Sequence, residues 1–135
     1  MKTGFTCGIF DLFHAGHVRM LQECKQHCDY LIVALNSAAQ IDPEINPEKK
    51  PPVYSLEERM LIMRACRFVD EVVVYNSEEE LEKLLMERKP DIRFMGEDYQ
   101  GKKITGASLN IPIHYTDRSH GLSTSKYRQQ IQAGK

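Results

Sequence analysis

One stretch of the sequence decides the fold: Gly8-Ile9-Phe10-Asp11-Leu12-Phe13-His14-Ala15-Gly16-His17, residues 8–17. It combines apolar bulk, two glycines and two histidines. It follows a strand-like run at residues 3–7 and precedes an amphipathic helical pattern. We therefore predict a strand-to-helix turn at the carboxyl end of a first strand. In open α/β sheets, this edge is where ligands bind.

The two histidines of this turn are the first candidate functional residues. His14 and His17 are three residues apart, which places two imidazoles on one face of the first turn of a helix. A helix N-terminus favours anions, and Gly16 lets a phosphate approach the backbone, so we expect a phosphate ligand. Two interpretations stay open: a shared metal ion, which needs a third protein ligand that is not evident nearby, and a structural role in capping the turn.

The rest of the pattern predicts a single α/β domain over residues 1–135. A helix is expected over residues 16–28 before a buried apolar strand over residues 30–35, and strand, helix and strand in this order form a right-handed crossover unit. Val18, Met20, Leu21 and Cys24 are predicted to face inward on that helix, and Met86 on a later one. Further strands are predicted at residues 71–75, 92–95 and 111–115, the last at a sheet edge because of Pro112, and further helices after the caps Ser55, Ser77 and Ser123 or Thr124. The predicted fold is Rossmann-like, with a five-stranded parallel sheet flanked by helices.

Two other segments can bring cations and donors to the same edge. Residues 36–54 contain four prolines and are predicted to form a long surface loop that carries Lys49 and Lys50. Near the C-terminus, Arg118 precedes Ser123 and Thr124 at the start of the last helix. A second helix N-terminus beside the planar fork of an arginine suits phosphate, so we expect Arg118 and Thr124 to contact it.

Both motifs resemble those of the cytidylyltransferase-like nucleotidyltransferases. Residues 8–17 are similar to the family signature Gly-x-Phe-Asp-Leu-Phe-His-x-Gly-His. Residues 118–125 are similar to the Arg-x-x-Gly-Ile-Ser-Thr-Thr segment of bacterial glycerol-3-phosphate cytidylyltransferases, with Leu122 and Ser125 replacing isoleucine and threonine. The resemblance implies a domain of the nucleotidyltransferase α/β-phosphodiesterase type, which joins nucleotides to small phosphorylated alcohols.

The resemblance also implies roles for individual residues. Lys50 would join His14, His17 and Arg118 as a catalytic group, and Arg59 and Arg67 would lie near the substrate or a subunit contact, although an exposed helical arginine is the ordinary alternative. Gly96-Glu97-Asp98-Tyr99 looks like the Gly-Asp-Asp-aromatic element of the family. The nucleotide-binding residues would be Gly8, Ile9, Phe10, Asp11, Gly16, Gly96, Asp98, Ser123 and Thr124. Ala38 stands where the glycerol-3-phosphate enzymes usually have an acidic residue, which leaves the acceptor open.

These residues favour nucleotidyl transfer. The sequence offers no obvious nucleophile, and transfer of a phosphoryl-type group depends chiefly on positioning and charge stabilisation, with Mg²⁺ bridging the phosphates. We expect a phosphorylated small molecule, sn-glycerol 3-phosphate by resemblance, to attack the α-phosphate of CTP and release pyrophosphate. Mg²⁺ would be held through the nucleotide phosphates, with Asp11 as a candidate protein ligand.

Two other functions stay open. One is an adenylyltransferase acting on a sugar phosphate or a flavin, because nothing in the residues distinguishes cytosine from adenine. The other is a nucleotide-binding regulatory module without chemistry. A net charge of −1 gives no support to a general nucleic-acid binder. The sequence shows no leader pattern and no long apolar run, so we predict a cytoplasmic protein without a membrane span, and the resemblance implies a homodimer.

Overall fold

The computed structural model describes residues 1–38, 51–117, 119 and 121–134. Strands and helices alternate along these residues, with short 3-10 turns at Glu97–Tyr99 and Ala107–Leu109. The elements are β1 (Thr3–Gly8), α1 (Ala15–Gln26), β2 (Tyr30–Asn36), α2 (Leu56–Ala65), β3 (Glu71–Tyr75), α3 (Glu78–Arg88), β4 (Ile92–Gly96), β5 (Ile113–Thr116) and α4 (Thr124–Gln132).

The strands form one parallel sheet in the order β3-β2-β1-β4-β5. This confirms the predicted Rossmann-like α/β fold with a five-stranded parallel sheet. The strand order reverses between β1 and β4, and ligands of open α/β sheets bind outside the carboxyl ends of the strands at such a switch point. The turn of residues 8–17 follows β1 and therefore lies at this position.

Two hydrophobic cores cover the two faces of the sheet. One contains Leu21 of α1, Met63 of α2 and Phe94 of β4, and the other contains Leu81 and Leu85 of α3. Successive side chains of a strand point to opposite faces, so the residue before Phe94 on β4 faces α3. The apolar run of β2 is fully buried on both faces, which is why it does not alternate with polar residues.

Local signals place most element boundaries. Ser55 and Glu58 form the predicted capping box, and the Ser77 and Ser123 side chains cap α3 and α4. Two inward predictions are wrong, because Val18 is 37% exposed and Met86 is 54% exposed. The last strand begins at Ile113, two residues later than predicted, and lies at the sheet edge as expected. In the described part of the chain, no helix combines the length and apolar character needed to cross a membrane.

Candidate active site

A cleft of about 620 Å³ lies at the switch point, beside the carboxyl ends of β1 and β4. Residues of the first motif that line it are Gly8, Ile9, Phe10, His14, Gly16 and His17. Gly96, Ser123 and Thr124 line it from β4 and α4. The fold therefore brings segments more than a hundred residues apart to one opening, as the motifs predicted.

The two histidines cap the start of α1 through hydrogen bonds within the protein. The Gly16 N–H donates to Nδ1 of His14 at 3.0 Å, and the His14 N–H donates to Nδ1 of His17 at 3.2 Å. The rings are stacked, with centroids 3.8 Å apart. Because each ring accepts at Nδ1, a neutral imidazole at either position carries its proton on Nε2. These hydrogen bonds agree with the interpretation that the two histidines cap the turn. In each ring, Nε2 is then the nitrogen that can donate.

A hydrogen-bond chain joins this turn to the start of α4. The Thr124 hydroxyl donates to the backbone oxygen of Asp11 at 3.0 Å, and its oxygen lies 3.3 Å from Nε2 of His14. With its own proton directed to Asp11, the hydroxyl accepts from Nε2–H of His14. Ser123 instead caps α4 by accepting from the Lys126 N–H at 3.1 Å. The N-termini of α1 and α4 are therefore fixed beside one another, and both favour anions.

Close packing at this junction explains one glycine, and the turn beside it contains two unusual backbone conformations. A Cβ atom at Gly16 would lie 2.7 Å from Cε1 of His14 and 3.0 Å from Cβ of Leu122, so only glycine lets the two segments approach. Phe10 and Leu12 have φ values of 54° and 50°, in the left-handed region that side chains other than glycine rarely adopt. Such strain clusters at functional sites.

Asp11 lies behind the cleft and joins three segments. Its carboxylate accepts the Val53 N–H at 2.7 Å, the Tyr54 N–H at 2.9 Å and the guanidinium of Arg128. Burial alone raises the pKa of Asp11, but these donors outweigh it and hold the pKa below its usual value. In this structure both oxygens accept protein donors, and the expected contact with nucleotide or Mg²⁺ stays a prediction. Sequence reasoning missed Arg128, whose four-residue spacing from Thr124 on α4 was the available signal.

Arg59 is buried, contrary to the ordinary expectation for a helical arginine. It is 2% exposed. Its guanidinium donates to the backbone oxygens of Ile9 at 3.1 Å, Asn36 at 2.7 Å and Ser37 at 3.3 Å, as well as to Tyr54. These carbonyls lie where β1 and β2 end, so Arg59 holds the rim of the cleft in place. Its donors are directed to the main chain in this structure, and a contact with substrate stays a prediction.

The other predicted residues lie elsewhere. Arg67 is exposed and lies over the Phe68 ring, 5.1 Å from its centroid, in a separate groove between α1 and α2. Asp98 is exposed on the 3-10 turn after β4 and does not line the cleft, whereas Gly96 does. Lys50 and Arg118, predicted as catalytic, and Lys49 lie outside the described residues.

The described residues do not fit a protein-built metal centre. Among them, no group of three or more His, Cys, Asp and Glu side chains could hold a metal ion. The histidine pair therefore lacks the third ligand that a shared ion would need within the described structure. A nucleotide-bound Mg²⁺ needs no such group, because Mg²⁺ is commonly bound through substrate phosphates and water.

The cleft has a second polar wall that sequence reasoning missed. On the α3 side it is lined by Cys7, Tyr75, Glu78, Arg93 and Thr105, which we call the α3-side wall. Arg93 is 3% exposed, and its Nη1 donates to the backbone oxygen of Thr105 at 2.7 Å. The Thr105 hydroxyl donates to the Glu78 carboxylate. An arginine between apolar residues in a predicted strand was the available signal.

The fold and this cleft define the class of the protein. A parallel sheet of this order, with paired imidazoles and two helix N-termini at its switch point, is a nucleotide-binding α/β architecture. The cytidylyltransferase-like family model matches residues 5–130. The chain belongs to the cytidylyltransferase-like family and is a nucleotidyltransferase.

Individual relatives cover the chain to different extents. It is 35% identical over 132 residues to the glycerol-3-phosphate cytidylyltransferase of Bacillus subtilis, spanning 97% of this chain and 98% of the relative. It is 39% identical over 131 residues to the bifunctional protein HldE of Wolinella succinogenes, but spans only 27% of that protein.

Solved structures share the same fold. The lipopolysaccharide core biosynthesis protein from Thermoplasma volcanium is similar with a TM-score of 0.65 and 26% identity, covering 85% of this chain and 93% of that one. A pantothenate synthetase from Thermus thermophilus has a TM-score of 0.57 and 14% identity, covering 86% of this chain and 55% of that one. The second likeness concerns the fold alone.

Proposed function

We propose that the protein transfers CMP from CTP to the phosphate of a small phosphorylated alcohol, with sn-glycerol 3-phosphate as the leading acceptor, and releases pyrophosphate. The observation that carries the proposal is the junction of the α1 and α4 N-termini through His14 and Thr124 in one cleft. The likeness to the Bacillus subtilis enzyme along nearly the full length of both chains supports the acceptor.

The reaction needs no protein nucleophile and no strong general base. An acceptor phosphate has a second pKa near 6 and is largely dianionic at neutral pH, so its oxygen can attack without a strong general base. That oxygen forms a bond to the α-phosphorus as the bond to the bridging oxygen of the β-phosphate breaks. The electron pair leaves with pyrophosphate, and no covalent enzyme intermediate is required.

The residues of the cleft would stabilise the charge that develops during this exchange. The Nε2–H group of His17 and the backbone N–H groups that begin α1 and α4 are fixed before substrate binds, which makes them effective donors. The Nε2–H group of His14 donates to the Thr124 hydroxyl, and its donation to a phosphate oxygen would require the ligand to replace that partner. Arg118 and Lys50 stay predicted phosphate contacts. Mg²⁺, entering with the nucleotide, would neutralise charge on the triphosphate.

A substrate panel tests the proposal. Pyrophosphate release is measured with each of the four nucleoside triphosphates, alone and with sn-glycerol 3-phosphate, a sugar 1-phosphate or glycerol. We expect release with CTP that depends on a phosphorylated acceptor and on Mg²⁺. Nucleotide binding without release from any pair would contradict the proposal and favour a regulatory module.

An adenylyltransferase acting on a sugar phosphate is the second candidate. Nothing in the residues distinguishes cytosine from adenine, and Ala38 lacks the acidic side chain that the glycerol-3-phosphate enzymes usually have soon after β2. Release with ATP and the sugar phosphate, at a rate exceeding that with CTP and sn-glycerol 3-phosphate, would establish this alternative.

We also propose a homodimer that buries the groove between α1 and α2. The groove, about 590 Å³, is lined by Phe13, Val18, Ile62 and Phe68, with Arg67 beside them. Light scattering after gel filtration should give twice the chain mass. Val18→Asp should yield monomers, whereas Leu61→Asp, on an exposed residue outside the groove lining, should not. A monomeric wild-type protein would contradict this proposal.

A further inference from the structure

The α3-side wall faces the same cleft as the imidazoles but lies on the opposite face of the sheet. Phe94 packs in the core with α1, so its neighbour Arg93 points towards α3. Tyr75 packs in the α3 core and also lines the cleft. The cleft therefore has two chemically different walls, one built from helix N-termini and imidazoles and the other from Arg93 and its neighbours.

Arg93 is an unusual residue for a strand interior. Buried arginines are normally paired with carboxylates, because a buried charge is costly without a partner. In the described residues Arg93 forms no ion pair, and its side-chain partners, the backbone oxygen of Thr105 and the thiol of Cys7, are neutral at pH 7. A guanidinium has five N–H donors, so this one retains capacity to donate towards the cleft that it lines.

The neighbours of Arg93 decide which ligand suits it. Burial raises the pKa of Tyr75 and of Cys7, so both side chains stay neutral at pH 7. Glu78 contributes a carboxylate that accepts from the Thr105 hydroxyl. The wall thus offers a strong donor, an acceptor and hydroxyl groups that can do either. A second anion would meet the charge of Glu78, whereas an alcohol can donate to Glu78 and accept from Arg93.

We propose that the α3-side wall binds the hydroxyl groups on the carbon skeleton of the acceptor, and that Arg93 is a specificity-determining residue. This inference rests on the proposed function. The helix N-termini hold the triphosphate, so an acceptor whose phosphate reaches the α-phosphorus can extend its skeleton to the other wall. The substrate class is then a phosphorylated polyol rather than a simple alkyl phosphate.

The test compares two acceptors with the same three-carbon chain, sn-glycerol 3-phosphate and n-propyl phosphate, which lacks the hydroxyls. The ratio of their kcat/KM values is measured at saturating CTP for wild type, Arg93→Met, Tyr75→Phe and the control Arg64→Met, an exposed residue on α2. Sites that hydrogen-bond a substrate hydroxyl strongly reject analogues without it, so we expect a wild-type ratio of at least about 10².

Arg93→Met should lower this ratio at least tenfold by slowing the reaction of the polyol phosphate, while n-propyl phosphate and the KM for CTP change little. Tyr75→Phe should lower the ratio less, and Arg64→Met should leave it unchanged. A merely structural Arg93 would slow both acceptors equally, which would overturn the proposal.

Folding is checked by circular dichroism and by CTP binding. Should Arg93→Met fail to fold, the nearly isosteric Tyr75→Phe decides the question, and a wild-type ratio in that variant overturns the proposal. If the variants release pyrophosphate with the wild-type ratio of kcat/KM values, the role of the α3-side wall is rejected and the proposed function is not. No release by wild type with any substrate pair would reject the proposed function, and this inference with it.

Discussion

Replacing Asp11 with asparagine should weaken the hydrogen bonds between the segments that meet behind the cleft and lower the stability of the fold. In wild type, Oδ2 accepts from the Val53 N–H and from Arg128, and Oδ1 accepts from the Tyr54 N–H. An amide keeps one acceptor oxygen. In its best orientation the new NH₂ group therefore faces the Tyr54 N–H, and that hydrogen bond is lost while the contact with Arg128 loses its charge.

The expected loss of stability follows from the burial and the charge of the Asp11 side chain. Asp11 is 5% exposed. Hydrogen bonds to charged groups contribute roughly 1.5–3 kcal/mol each, so losing one and weakening another should lower the free energy of unfolding by about 3 kcal/mol. For a chain of this size, the expected decrease in Tm is about 10 °C.

The effect should also depend on pH. The pKa of Asp11 is held below its usual value in the folded protein, because its backbone and guanidinium donors outweigh the opposing effect of burial. The carboxylate therefore stabilises the fold above its unfolded-state pKa of about 4, and this contribution is lost as pH falls through the folded-state pKa. The difference in Tm between wild type and variant should be constant near neutral pH and narrow in acid.

Thermal denaturation followed by circular dichroism, at several pH values, measures both quantities. Asp91→Asn is the matched control, since Asp91 also accepts a backbone N–H, from Thr3 at 2.8 Å, but is exposed. Asp91→Asn should lower the free energy of unfolding by less than about 1 kcal/mol. An Asp11→Asn variant with the wild-type Tm at neutral pH, or a difference that does not narrow in acid, would refute the reasoning.

Three further substitutions separate chemistry from structure. In His17→Asn, the amide oxygen can replace Nδ1 as acceptor for the His14 N–H while Nε2 is removed, so turnover should fall roughly 10²–10³-fold with little change in Tm; wild-type turnover would contradict the catalytic role. Thr124→Val removes the hydroxyl that links His14 to the Asp11 carbonyl and should lower kcat/KM about tenfold, while Ser123 still caps α4; unchanged kcat/KM would show that the link is dispensable. Ser55→Ala should cost about 1 kcal/mol in unfolding experiments without changing the KM for CTP, and a selective rise in that KM would argue against a purely capping role.

The sequence predicted the features of the fold that depend on a local residue pattern. The unbroken apolar run of β2 indicated a strand buried on both faces, and Ser55 with Glu58 indicated the start of α2. The strand-helix-strand order then predicted the parallel sheet, and the sheet placed the turn of residues 8–17 at its switch point. An apolar residue at helical spacing usually faces the core, so the sequence predicts an inward Val18, whereas in the structure it lines the groove between α1 and α2.

The site was only partly predictable, because several of its contacts join residues far apart in the sequence. The spacing of His14 and His17 indicated a shared face, but the contact of His14 with Thr124 requires the sheet to bring α1 and α4 together. Arg59 and Arg93 are buried and Arg128 is half-buried for the same reason: their acceptors converge only in the folded chain. Helical and strand periodicity can single out Arg93 and Arg128, but it does not identify the distant groups that they contact.

The transfer of an intact CMP group is tested most directly with an acceptor whose phosphate oxygens are ¹⁸O. Wild-type protein, CTP and labelled sn-glycerol 3-phosphate are incubated with Mg²⁺, and both products are analysed by mass spectrometry. Attack of the acceptor on the α-phosphorus predicts a CDP-alcohol that retains all the label, formed in equal amount with unlabelled pyrophosphate. Label in the pyrophosphate, or CMP formed by hydrolysis without the acceptor, would contradict the account.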